Sequence, residues 1–227
     1  MHGNMSAQVV SFNRVKSGMR YPLIQRVEAY WEALRSGDAL PQRGAVDPRG
    51  LGDALPVCFV AEHVGGGQLR LRIAGQSITR IAGVEARGMA LTSLIAPDQI
   101  GELERHAERM INGREVLRIG LVADLGNGRR LRGEMILLPL GNTAGEVDRV
   151  LGCILSDAGM TPPACRFRIN GVATRSAGEP YSDVMAVWGN TPDTTPAMAA
   201  EAPARFAHEK GPRDIRAALK IVSGDKA

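Results

Sequence analysis

Apolar and polar residues alternate along this 227-residue chain with two distinct periods. In residues 21–41 Leu23, Ile24, Val27, Tyr30, Trp31 and Leu34 recur three and four apart, which places them on one face of a helix. Pro22 suits its first turn, and Gly37 lies just past its last apolar position. Over residues 57–75 the period falls to two. "VCFVAEHV" is followed by the turn "GGG" and by "QLRLRIAG", in which Leu69, Leu71 and Ile73 alternate with Gln68, Arg70 and Arg72. That pattern predicts a hairpin with one wet face. "QSITRIAG" and "ALTSLIAP" read as short helical pieces. Residues 96–115 read as a longer helix with the stripe Ile100, Leu103, Ala107, Met110 and Ile111, ended by Asn112 and Gly113. Three extended runs follow, "VLRIGLVADL", "RRLRGEMILLPL" and "DRVLGCILSD", with Asn127–Gly128 as the hairpin signal between the first two.

The order helix, β, β, short helices, long helix, β, β, β predicts an α+β fold. It has a five-stranded antiparallel sheet, helices on one face, an N-terminal helix and a long irregular C-terminal tail. Residues 20–156 form the expected domain, residues 1–19 a flexible arm in which "AQVVSF" could be a short strand, and residues 157–227 the tail. The tail is rich in Pro, Ala, Thr and Gly without sustained periodicity, as in extended or disordered chain. Its last part, "RDIRAALKIVSG", has the spacing of a short amphipathic element.

Composition adjusts this picture. Aromatics are only 4% of the chain against 44% hydrophobic residues, so the core is aliphatic. The net charge of +4 is spread as +2 in residues 1–19, +1 in 20–156 and +1 in 157–227. The single-sign footprint of a nucleic-acid binder is therefore weak. Cys58, Cys153 and Cys165 show no CxxC spacing, and the first two sit in apolar runs as small buried hydrophobes. A disulfide framework is not expected, which favours the reducing cytoplasm. The N-terminus lacks an apolar segment of signal-peptide length, and no apolar run is long enough for a membrane span.

Over residues 22–156 the chain resembles the PAS domain family, in a branch of small bacterial PAS proteins. The resemblance rests on "YWEALRSGDALPQRGAVDP", on "RLRIAGQSITRIAGVEARGMALTSLI" and on "EMILLPLGNTAGEVDRVLGCIL". It implies a sensory fold and a homodimer formed through the N-terminal helix. The glycines in the middle segment, Gly75, Gly83 and Gly88, are spaced for neither a dinucleotide fingerprint nor a P-loop, and read as breaks between short helices.

Candidate chemistry is sparse. The resemblance makes His106 a candidate haem ligand, because haem-binding members use this helix. Its neighbours Glu102, Arg109 and Met110, and its offset from the apolar stripe, favour a solvated histidine. His63 reads as a loop residue, and His2 and His208 lie in the expected arm and tail. Cys58 lies on a strand rather than in the helical Asn-Cys-Arg motif of a flavin photosensor. Glu102, Glu104 and Glu108 with Arg105 and Arg109 read as a salt-bridged helix face. Ser77 and Thr79 have no histidine at an informative spacing. Arg130 and Arg132 follow a hairpin turn and read as a wet sheet face. Tyr30 and Trp31 are adjacent, so either both close the core or one covers the sheet while the other meets a partner.

No catalytic, metal or cofactor-binding residue is assigned, and no cofactor is expected. The expected function is a non-enzymatic cytoplasmic sensory or adaptor module of bacterial signalling. It acts through a homodimer and a signalling protein partner, with room for a small-molecule ligand and with no membrane or nucleic-acid partner. Two rivals stay open, a small enzyme on the same scaffold and a nucleic-acid-associated transcriptional regulator.

Overall fold

The expected N-terminal helix forms as α1 (Pro22–Ala33), with proline in its first turn where a missing N–H costs nothing. The computed structural model describes residues 21–179. The arm with His2 and "AQVVSF", and the later tail with His208 and "RDIRAALKIVSG", lie outside the described residues. After α1 the chain makes a short turn of helix, α2 (Pro48–Leu51), and an irregular helical turn, Gly52–Val57. The hairpin is β1 (Cys58–His63) and β2 (Leu69–Ala74). Then come α3 (Gln76–Ala82) and α4 (Ile100–Gly113), and the strands β3 (Glu115–Asp124), β4 (Arg130–Gly141) and β5 (Val147–Ser156).

The α+β antiparallel architecture is as expected, with three differences. A sixth strand, β6 (Arg168–Ser176), pairs with β3 and completes the order β2-β1-β5-β4-β3-β6. It lies in the stretch predicted to be tail. Its buried apolar anchors are Phe167 just before it and Ile169 within it, with Val172 only partly buried, and a register shift at Gly120 breaks the alternation after Ile169. Two anchors are too few to declare a period of two.

The helices also cover both faces of the sheet rather than one. Leu103, Ala107, Met110 and Ile111 of α4 and Ile78 and Ile81 of α3 pack on one face, against Leu117, Ile119, Met135 and Leu137. On the other face Ile24, Val27 and Trp31 of α1 pack against Val116, Ile136, Leu138 and Leu151. The physical reason is in β4 and β5. Met135 through Leu140 and Val150 through Leu155 are buried without interruption, as strands covered on both sides must be.

The third difference concerns Ile73. Leu69 and Leu71 are buried and Arg70 and Arg72 exposed, as the alternation predicts. Between Val60 and Ala61, however, the register shifts: Ala61 faces Leu71 while Val60 faces Ile73. Arg72 is thus the extra residue of a β-bulge, and Ile73 turns to the α1 side of the sheet. Beyond it β2 ends at Gly75, where a Cβ would fall 2.3 Å from the Pro56 carbonyl oxygen and 2.4 Å from that of Leu55. Gly83 then stops α3 with φ +73°. Gly75 and Gly83 thus shape a backbone crossing and a helix end, as the spacing predicted.

Candidate functional site

On the α1 side, α1 lies over the middle of the sheet and leaves the β1–β2 end to residues 43–57. The cover there is incomplete. A cleft of about 330 Å³ opens between these residues and the strands. Its floor is Val60 and Leu151, its walls include Leu51 and Pro56, and its rim carries Leu55 and Ile73, which remain 40% and 49% exposed. The polar groups at its edge are Arg43 and Gln76, both exposed. Among the described residues the Arg43 side chain has no hydrogen-bond or ion-pair partner.

Elsewhere on the same face a charged network pins α1 to the sheet. Arg175 of β6 donates to Glu28 Oε1 from Nη2 at 2.8 Å and from Nε at 3.2 Å, and reaches Glu32 Oε1 at 2.5 Å. Arg118 of β3 donates to Glu28 Oε2 and to Glu134 Oε1 of β4. Arg35 pairs with Glu32 at 3.0 Å and lies over the Trp31 ring, 5.5 Å from its centroid. Glu28, Glu134 and Arg175 are buried, so each group's charge must be compensated by its partners. Burial pushes the Glu134 carboxyl above the usual range, against the opposing pull of Arg118.

The residues singled out from sequence scatter across the fold. His106 is half-buried on α4 beside, not within, the stripe that meets the sheet. His63 is half-buried at the end of β1, its Nε2 enclosed and, among the described residues, without a hydrogen bond. The buried Ser77 hydroxyl donates to the Met160 carbonyl at 2.7 Å, and Thr79 is half-buried on the same helix. Arg130 is exposed and Arg132 half-buried at the start of the interior strand β4. Arg105 turns back to the Gly101 carbonyl, and Arg109 approaches Glu115 at 3.8 Å.

Of all these residues, the fold brings together Cys58 and Cys153, directly opposite one another on β1 and β5. Both are buried, and Cys58 also lines the cleft. The hydrogen bond with Cys58, and then burial, hold the Cys153 thiol well above its ordinary range. Burial pushes Cys165 up to about 11.

Tyr30 and Trp31 both make contacts within the domain. Trp31 is fully buried and donates from Nε1 to the Pro139 carbonyl at 2.9 Å. The Tyr30 hydroxyl accepts from the Asp47 amide at 2.8 Å, and its ring lies where a Cβ on Gly50 would be, so it clamps the loop into α2. Trp31 thus closes the core, while Tyr30 covers the loop and stays half-exposed.

Sequence reasoning missed the network and the cleft. A signal for the network exists: Glu28 interrupts the helical stripe of Ile24, Val27 and Trp31, while Arg118 and Glu134 interrupt strand runs, with opposite signs. The cleft had none, because the bulge that turns Ile73 leaves the alternation of residues intact.

A family model described as a PAS domain matches residues 19–155. No curated protein matches the chain. Similar solved structures include a light-oxygen-voltage domain studied with a flavin analogue, at 16% identity over 48% of this chain and 82% of that one, TM-score 0.38. A Rhodobacter sphaeroides LOV protein shows 12% identity over 59% and 67%, TM-score 0.36. An RNA-binding light-oxygen-voltage receptor shows 22% over 54% and 36%, TM-score 0.34. Among the described residues no helix is long and apolar enough to cross a membrane.

Proposed function

Because the chain belongs to the PAS domain family, we propose that it is a non-enzymatic sensory or adaptor module of cytoplasmic signalling that works as a homodimer through protein–protein contacts. The observation that carries this reading is the attachment of α1. It is held by the charged groups of Glu28, Arg118 and Arg175 beside an incompletely filled cleft on the same sheet face. A helix held by a few buried charged contacts is suited to two dispositions, contacts made or lost, between which an input at the cleft or a partner at the helix would bias.

The hydroxyl of Ser77 is committed to a backbone carbonyl, which supports the non-enzymatic part of the reading. The test uses the full chain without any ligand: native mass spectrometry, with amide exchange across α1, for the wild type and Glu28→Gln. The expected result is a dimer at micromolar concentration whose stability and α1 protection both change in the variant. A monomer in both, or α1 exchange untouched by the substitution, overturns the reading. So does ester or phosphoester turnover that depends on His63 or His106.

A further inference from the structure

We propose that the cleft at the β1–β2 end is a binding site for a medium-chain amphipathic carboxylate, with its hydrocarbon chain along the trough and its carboxylate on Arg43. The proposal deepens the reading above by naming the ligand class.

Three features point the same way, the second explaining part of the first. First, the rim side chains Leu55 and Ile73 are half the large hydrophobics that stand exposed among the described residues, and both converge on this one trough. Converging apolar exposure of that kind marks a binding surface rather than ordinary surface scatter. Second, Ile73 is there because of the β-bulge at Arg72. Without the bulge it would continue the alternation of Leu69 and Leu71 into the opposite core. Third, the one cation on the lining is Arg43, and it has no hydrogen-bond or ion-pair partner among the described residues.

An apolar trough with a single cation at its mouth complements a chain with a single anionic head. It offers too few donors for a nucleotide or a sugar phosphate. The volume of 330 Å³ is at the small end of ligand pockets, which favours a short acyl chain over a bulky ring system. An added peptide strand is disfavoured on this edge. The Leu71 amide already donates to the Met89 carbonyl at 2.8 Å, and the Leu71 carbonyl accepts from the Gly88 amide at 2.7 Å, so the edge of β2 is occupied there.

The test is calorimetric titration of the full chain with hexanoate, octanoate, decanoate and decanol. For the carboxylates, affinity should rise roughly fourfold per added methylene until the trough is filled, then level off. Decanol should bind about two- to fivefold more weakly than decanoate, the contribution of an exposed ion pair. Arg43→Gln should bring decanoate to the level of decanol and leave decanol unchanged. Ile73→Asp should abolish both. Both positions are solvent-exposed, so the variants retain the fold, which circular dichroism checks.

Absence of saturable binding, affinity independent of chain length, or decanoate binding indifferent to Arg43→Gln would each overturn the proposal. Because the dimer and α1 exchange are measured without added ligand, failure here leaves the signalling reading standing. Binding with no α1 response to Glu28→Gln would do the reverse.

Discussion

Replacing Glu28 by glutamine tests the energetic centre of the α1 face. The substitution keeps the shape and one acceptor oxygen, but removes the charge that compensates both Arg118 and Arg175. The Glu28 side chain is only 4% exposed, and those of Arg175 and Arg118 are 6% and 13% exposed, so water cannot replace it. Removing one partner of a buried ion pair costs about 3–5 kcal/mol, chiefly because a charge is left buried and uncompensated. Here the loss is shared. Arg118 keeps Glu134 and Arg175 keeps Glu32, so the lower end, about 3 kcal/mol, applies. For a domain of this size that is a fall in Tm of roughly 6–12 °C.

Urea unfolding followed by circular dichroism measures it directly: the midpoint should fall while the slope with denaturant stays constant. The double variant Glu28→Gln with Arg175→Met should lose less than the sum of the two single losses, because the second change removes a charge the first had stranded. A loss below about 0.5 kcal/mol for Glu28→Gln, the range of ordinary surface substitutions, would refute the network as the anchor of α1.

Other outcomes follow from single contacts. A Cβ on Gly152 would lie 2.1 Å from the Phe59 ring, so Gly152→Ala should cost about 1–3 kcal/mol by urea unfolding, and Phe59→Leu in the same chain should recover part of it; an unchanged midpoint would show that the ring has room to move. The Arg168 guanidinium, hydrogen-bonded to Asp98 through both oxygens, holds that carboxyl below its ordinary range. Its contribution is therefore present above the unfolded-state value near 3.8 and lost as the pH falls through the folded one, and Asp98→Asn should flatten the acid limb of a stability–pH curve; an identical acid limb would exclude the pair. Glu134 works in the opposite sense: its raised folded value means that its contribution favours the fold at low pH and is lost as the pH rises through that value. Of the buried and half-buried thiols, Cys165 should react first with a disulfide reagent at mildly alkaline pH, more slowly than a free cysteine, with Cys58 and Cys153 silent until unfolding; rapid labelling of either would contradict their burial.

The elements with long, unbroken periodicity were legible without coordinates. The stripes of α1 and α4 and the runs of β1 to β5 lie where their patterns put them. The runs in β4 and β5 also carried the evidence for a two-sided cover, since an unalternated "MILLPL" cannot have a wet face. What stayed hidden depends on register and tertiary pairing. β6 has two apolar anchors and a glycine break, and it is held by partners far away in sequence: Asp98 for Arg168, the Gln99 side chain for the Ile169 amide at 2.9 Å, and Glu28 for Arg175. Ile73 looks like a core residue by alternation, and one extra residue in the strand sends it to the other face. The adjacency of Tyr30 and Trp31 left the role of each ring open, and only the approach of Gly50 and Asp47 shows what Tyr30 covers.

The same face of the sheet therefore carries both the cleft and the ion-anchored helix, and their connection is short. Leu151 and Val60 form the floor of the cleft and belong to the apolar cluster that includes Ile24 and Trp31 of α1. One layer of side chains separates a chain lying in the trough from the helix. If α1 has two dispositions, as proposed, a ligand there would shift it only to the extent that it binds them with different affinity. Residues 43–57, the cover of the cleft, are clamped to α1 by Tyr30 through Asp47, which would couple a ligand to the helix. On the proposal above, an acyl chain beneath the cover would press on α1 through Tyr30, and the Glu28 network would resist at the helix's other contacts. The larger the resistance, the more of the binding free energy is spent on strain and the weaker the ligand binds. Loosening the network should thus tighten the ligand, so Glu28→Gln and acyl-chain affinity are coupled, and the sign of that coupling decides whether the cleft and the helix belong to one device.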